Sequence, residues 1–241
     1  MPLRPTPSEQ GFGEQAALCN QPVNTQPMAT KTQIARQASS HRKMRRQGYR
    51  VFDGPLYVDD DSEAVIRTPS ETLRRAMILW MLGCCADGTP HAEIRESMEA
   101  CGLVSDLSPE EADYMSSPFQ DQQTEINMKW RLEASWILLW SLRRLWWLNW
   151  PDSICDCHRM ARILQPLESA TGIQKQFRMH SKSRILDMLD LSLRQHWAAR
   201  DDYVRGVNGL PPIFGRVAQQ RHHAMLWLTS ATPWDDIETH T

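Results

Sequence analysis

Four residues with charged or titratable side chains fall on the apolar stripes of helical segments: Glu133, His196, Arg200 and Arg221. A surface helix normally keeps such groups on the face opposite its apolar stripe. An unpaired buried charge is costly, so these groups are expected to meet one another, a ligand, or Asp235 and Asp236 of a folded-back C-terminal segment. Two chemistries fit this set. In one, His196 is a general base, Glu133 or Asp235 is its partner, and the arginines clamp an anion. In the other, the six residues form a buried ion network that sets helix register and tethers the C-terminus. No nucleophile motif accompanies them, which favours the network.

Cysteines and aromatics supply the remaining candidates. Cys155-Asp156-Cys157-His158 places two thiols beside an imidazole, a combination that suggests zinc. Structural zinc sites usually separate their cysteines by two to four residues, however, and no second ligand pair stands out. Free thiols on a half-buried helix are therefore expected, with no metal and no cofactor. Cys84 and Cys85 are adjacent in a helix and point about 100° apart. His222 and His223 are neighbours too, and are expected at the surface. Ten tryptophans occur, six of them between Trp130 and Trp150. Trp136, Trp140 and Trp147 have helical spacing and read as core rather than as a cofactor box. Trp146, Trp147 and Trp150, beside Pro151, are hard to bury together, and an exposed aromatic patch there would mark a partner surface.

The elements that must position these residues are helices. Thr68-Pro69-Ser70-Glu71 is a capping box with proline at the first helical position, opening a helix to about Cys84. A second start lies at Thr89-Pro90, with an end before Gly102. Ser108-Pro109-Glu110-Glu111 repeats the capping box. A long helix is expected over Asp121–Leu145, and Asp152 can cap another that runs to about Leu164. Over Lys182–Val204, Ile185, Leu189, Leu193 and Val204 share one face with His196 and Arg200. Asp187, Asp190, Arg194 and Asp201 lie on another, polar face, where they can pair across turns. The last helix covers about Ile213–Thr229, with Arg221 inside the stripe of Val217, Ala224 and Leu228.

Upstream, Thr30–Gln47 reads as a basic helix carrying Arg36, Arg42, Lys43, Arg45 and Arg46. It could contact phosphate or nucleic acid. The acidic residues Asp59–Asp61 and Glu63 follow closely and favour a solvated face instead. Gly48–Asp60 reads as extended, turning at Asp53-Gly54-Pro55, and no useful strand alternation follows Asp60. Residues 1–28 are polar and unpatterned, which suggests a disordered tail or an extension upstream of a start at Met28, with a regulatory tail as the rival reading.

The 241 residues carry a formal net charge of −2 and 41% hydrophobic residues, enough for a sizeable core. That charge argues against a general nucleic-acid binder. The N-terminus has no apolar signal-peptide core, so the six cysteines are expected to be reduced, in the cytoplasm. The apolar runs at 76–86 and 136–150 fall short of a membrane span, and Arg143 and Arg144 interrupt the second. The expected fold is all-α, one multi-helix domain over 29–241 with a short extended element near its start.

Several segments together resemble a mainly bacterial family known as domain of unknown function 4272. They are RTPSETLRRAMILW (Arg67–Trp80), WRLEASWILLWSL (Trp130–Leu142), LDLSLRQHWAARD (Leu189–Asp201) and GRVAQQRHHAMLWL (Gly215–Leu228), followed by WDDIETHT (Trp234–Thr241). The resemblance spans about residues 31–241 and implies a helical fold, with no activity attached. The family pattern usually has a glutamate before the arginine of the last helix and an aspartate near the end. Here Gln220 and His240 stand in those places, and both replacements remove negative charge. Two functions remain: a non-enzymatic domain that binds a protein partner, or an enzyme or anionic-ligand binder built on Glu133, His196, Arg200 and Arg221.

Overall fold

In the computed structural model, the described residues are 29–117, 120–173, 177–206 and 214–239. The readings made for residues 1–28, Ile213 and His240 lie outside them. Among the described residues the regular structure is helical, with no strand. The fold is that of a single multi-helix domain.

Local sequence sets most helix starts. Helix α1 (Lys31–Arg46) opens on Thr30, whose hydroxyl accepts from the Gln33 amide while the Gln33 side chain answers Thr30 N. Helices α2 (Pro69–Ala86) and α4 (Pro109–Ser116) open on the two expected capping boxes, Thr68/Glu71 and Ser108/Glu111. Between them lies α3 (His91–Ala100). Each reciprocal cap satisfies two amides that have no partner within the helix. Helix α5 (Gln122–Ser141) is capped by Asp121, and α6 (Cys157–Leu164) by Asp156. A short turn, α7 (Ala170–Ile173), precedes α8 (Lys182–Arg205) and α9 (Gly215–Leu228).

Two boundaries differ from the sequence reading. Helix α5 stops at Ser141 rather than near Leu145, because Arg143 takes a left-handed conformation with φ 56°. Its amide donates to Trp140 O at 2.8 Å, and the Arg144 amide to Leu139 O at 2.9 Å. This is the glycine-type helix ending, made here by an arginine. The cap of α6 is Asp156, not Asp152. Residues 151–155 turn without forming a helix, so the helix starts later. The Gly48–Asp60 segment has no regular structure and is pinned to α1 instead. Gln33 donates to Val58 O at 2.8 Å and Gln37 to Gly54 O at 3.0 Å.

Helix α5 is central. It packs on α2 and α9; α9 packs on α8, and α8 on α1. Every residue from Arg131 to Leu142 is buried, so this stretch has no solvent face on which a charge could rest. At Gly83 the α2–α5 crossing is close: a Cβ there would fall 2.4 Å from Leu132 Cδ2. Among the described residues, no helix is long and apolar enough to cross a membrane.

Candidate functional site

With every face of α5 covered from Arg131 onward, Glu133 must find a partner inside, and Arg221 supplies it. From one turn inside the stripe of α9, Arg221 Nε and Nη2 both donate to Glu133 Oε2, at 3.1 and 2.9 Å. The other carboxylate oxygen, Oε1, accepts the Cys155 amide at 2.5 Å. Arg221 Nη1 donates to Asn149 O at 2.7 Å and Nη2 to Asn149 Oδ1 at 3.1 Å. Asn149 Oδ1 also takes the Trp136 indole N–H at 3.0 Å. Glu133 is 2% exposed and Arg221 1%. The pair therefore joins α5, α9 and the 149–155 loop in one satisfied, enclosed network. A charge-assisted contact in which two guanidinium N–H groups meet one carboxylate is both strong and geometrically selective.

His196 does not join that network. Its Nδ1 lies 3.2 Å from Nδ1 of His222, across the α8–α9 interface. At that separation one nitrogen donates and the other accepts, so at least one ring is neutral. Burial holds His196 down to about 4, helped by the charge of Arg200. Burial also holds His222 down to about 3, and the neighbouring imidazoles add to the shift. His222, expected at the surface, is instead buried, because α8 covers that face of α9.

Three members of the expected buried cluster are exposed. Arg200 lies on the stretch of α8 that runs past its packing partners; burial fades after Ala198, and Val204 of the same stripe is 74% exposed. Asp235 and Asp236 also sit in solvent. Asp235 does tether the chain end, but at the surface of α4. It accepts from Ser108 Oγ at 2.7 Å and from the Glu110 amide at 2.9 Å. A carboxylate at a helix N-terminus satisfies free amides and interacts favourably with the positive end of the helix dipole.

A second correction concerns Arg194. It is buried, not on a polar face. It donates to Asp190 Oδ1 at 2.9 Å and to Leu56 O, while its Nε and Nη1 and Asp190 Oδ2 find no hydrogen-bond partner among the described residues. Asp187 pairs with Arg36 of α1 at 3.0 Å rather than within α8, and Arg36 also holds Asp61 at 2.7 Å. The basic helix and the acidic residues after it thus do meet, through a buried arginine.

The sequence reading missed one buried ionic centre. Glu111 is fully buried and accepts from Arg75 Nη1 at 2.6 Å and Arg131 Nη1 at 2.7 Å. Its capping-box role disguised it, since such a glutamate normally faces water. Above this centre, Arg67 lies 4.3 Å from the Trp227 ring and Arg75 5.1 Å from the Trp234 ring. These groups line a cleft of about 500 Å³. Its arginines are already engaged: Arg67 donates to Trp227 O at 2.8 Å and to Thr232 O, and Arg75 to Glu111.

The aromatic patch divides. Trp136 and Trp140 are core, whereas Trp147, expected with them, is 59% exposed and Trp146 is 89% exposed. Trp150 is half-buried, stacked on Tyr49 with ring centroids 5.5 Å apart. The left-handed turn at Arg143 throws residues 146 and 147 outward. Both line a cleft of about 560 Å³ with Lys43, Leu148, Arg184 and Met188. Among the described residues, no group of three or more His, Cys, Asp or Glu is placed to hold a metal ion.

Over residues 36–237 the sequence matches the family described as Domain of unknown function (DUF4272), and the chain belongs to it. No curated protein and no solved structure matches the chain.

Proposed function

We propose that this member of the DUF4272 family is a non-enzymatic binding domain that captures an acidic, apolar-anchored protein segment at the Trp146–Trp147 edge. One observation carries the reading: two adjacent tryptophans are held in solvent where they line an open cleft. Large exposed aromatics set in a concave surface are characteristic of recognition sites. The charge of the surroundings selects the partner. Lys43 and Arg184 line the cleft, and the one carboxylate there among the described residues, Asp187, is already held by Arg36. Arg143 and Arg144 are exposed on the adjoining turn. An acidic segment with an aromatic or aliphatic anchor is complementary to that surface.

The enzyme reading has less support. Glu133 and Arg221 use each other, and His196 Nδ1 faces a second imidazole rather than a carboxylate. An internal group that is closed off and satisfied has no reactant to meet.

Peptide display against the intact protein is the test. Enriched sequences should combine Asp or Glu with an apolar anchor. The double variant Trp146→Ser/Trp147→Ser should lose them while keeping its melting temperature, because both side chains are exposed. Enrichment that survives the double substitution would overturn the proposal, as would failure to enrich any sequence. So would binding to anionic phospholipid vesicles in place of peptides.

A further inference from the structure

The glutamate that anchors Arg221 is also the acceptor for the backbone of a cysteine, and that cysteine faces another. Cys155 is buried, with its amide donating to Glu133 Oε1. Cys157 is exposed at the first position of α6. Their sulfur atoms stand 4.0 Å apart, near van der Waals contact, with no residue between them in space that would have to leave. We propose that Cys155 and Cys157 form a hydroperoxide-sensitive dithiol whose closure to a disulfide is transmitted to the Glu133–Arg221 network.

The chemistry divides by position. The Cys157 sulfur attacks the terminal oxygen of a hydroperoxide. An S–O bond forms, the O–O bond breaks, and the alcohol (water, for hydrogen peroxide) leaves after taking the proton. Cys157 is then a sulfenic acid, oxidised by two electrons. The Cys155 sulfur attacks Cys157 Sγ, the S–O bond breaks, and hydroxide departs as water with the Cys155 proton. Two equivalents of a small thiol reduce the disulfide back to the two cysteine thiols and leave as their own disulfide.

Three further features favour this pair. The Cys157 thiol is held below its ordinary range by the hydrogen bond from Cys155, while that same bond and burial push Cys155 up. The attacking sulfur is thus the accessible one, and the thiolate is the reactive form. Burial raises Cys84, Cys85 and Cys101, which makes them poorer competitors. Closing the sulfurs from 4.0 Å to a bond of about 2 Å needs movement in the short segment that holds Cys155. The Cys155 amide is one of the donors to Glu133, so a shift of this backbone would be felt by the network directly.

The test uses the full chain, hydrogen peroxide and thiol alkylation followed by peptide mass analysis. Expected is early loss of two hydrogens from the peptide holding both Cys155 and Cys157, reversed by a thiol reductant. A shifted melting temperature should accompany it. Cys155→Ser should stop at a Cys157 sulfenic acid that a cyclic 1,3-dione traps. Cys157→Ser, a surface change that leaves the core intact, should leave Cys155 a free thiol and abolish the shift, so the test stands even if Cys155→Ser does not fold. Oxidation of Cys84, Cys85 or Cys101 ahead of this pair would overturn the proposal. Persistent sulfenic acid at Cys157 in the parent would do the same. A disulfide that forms without moving the melting temperature would overturn its link to the network.

Discussion

At the scale of single residues, the contrast between Arg221 and Arg194 is instructive. Both are buried arginines on helices, and both meet a carboxylate. Arg221 spends its donors on Glu133 and Asn149, whereas Arg194 leaves Nε and Nη1 without hydrogen-bond partners among the described residues. The first pair is satisfied and the second only half so. Removing one member of a buried pair strands the other charge, so Arg221→Met should cost about 3–5 kcal/mol. Arg205→Met makes a fair control, since Arg205 itself is exposed and its partner Asp201 keeps a second arginine, Arg50. That change should cost less than about 1 kcal/mol. Urea unfolding of the two variants decides the matter. Equal stability of Arg221→Met and the parent would show that the network is not a structural hub and would return Arg221 to the list of ligand-binding residues.

At the scale of elements, the end of α5 matters most, because it aims the tryptophan pair. Among the described residues, Arg143 is the one non-glycine with a left-handed φ. Such a conformation strains an L side chain, and helices usually place glycine there. Arg143 is exposed, so its side chain contributes little packing. Arg143→Gly should therefore raise stability, by up to about 1 kcal/mol. Thermal unfolding measures it. A clear loss of stability would mean that the arginine side chain contributes more than the strain costs. The helix starts needed no such inspection. Thr68 with Glu71 and Ser108 with Glu111 are local patterns, satisfied within four residues, and both fold as read.

For the whole molecule, the buried imidazoles make stability depend on pH. Burial holds His196 at about 4 and His222 at about 3, while an unfolded histidine titrates at about 6.5. Both folded values are depressed, so between these limits the unfolded chain binds more protons than the folded one. The histidine contribution is therefore fully present above about pH 6.5 and is lost as the pH falls toward about 4 and then about 3. Urea midpoints at pH 7.5 and pH 5 should show this loss, and His222→Leu should show a smaller one. An unchanged difference in His222→Leu would mean that other groups, such as His223, set the acid response.

What the sequence determined was whatever depends on near neighbours. The helical class follows from apolar spacing and capping residues, and so do the starts of α1, α2, α4 and α8. The pairing of Arg221 with Glu133 could be anticipated as well, because a charge inside an apolar stripe has few places to go. Tertiary packing decided the rest. It buried Arg194 and His222 by laying α1 and α9 against α8, and it left Arg200 in water where α8 outruns those partners. It enclosed Glu111 through arginines from α2 and α5, although the local motif alone would have left that carboxylate at the surface. It also set Cys155 and Cys157 within reach of each other and turned Trp146 and Trp147 outward. Whether a side chain is buried depends on what arrives from distant parts of the chain, and helical periodicity carries no information about that arrival.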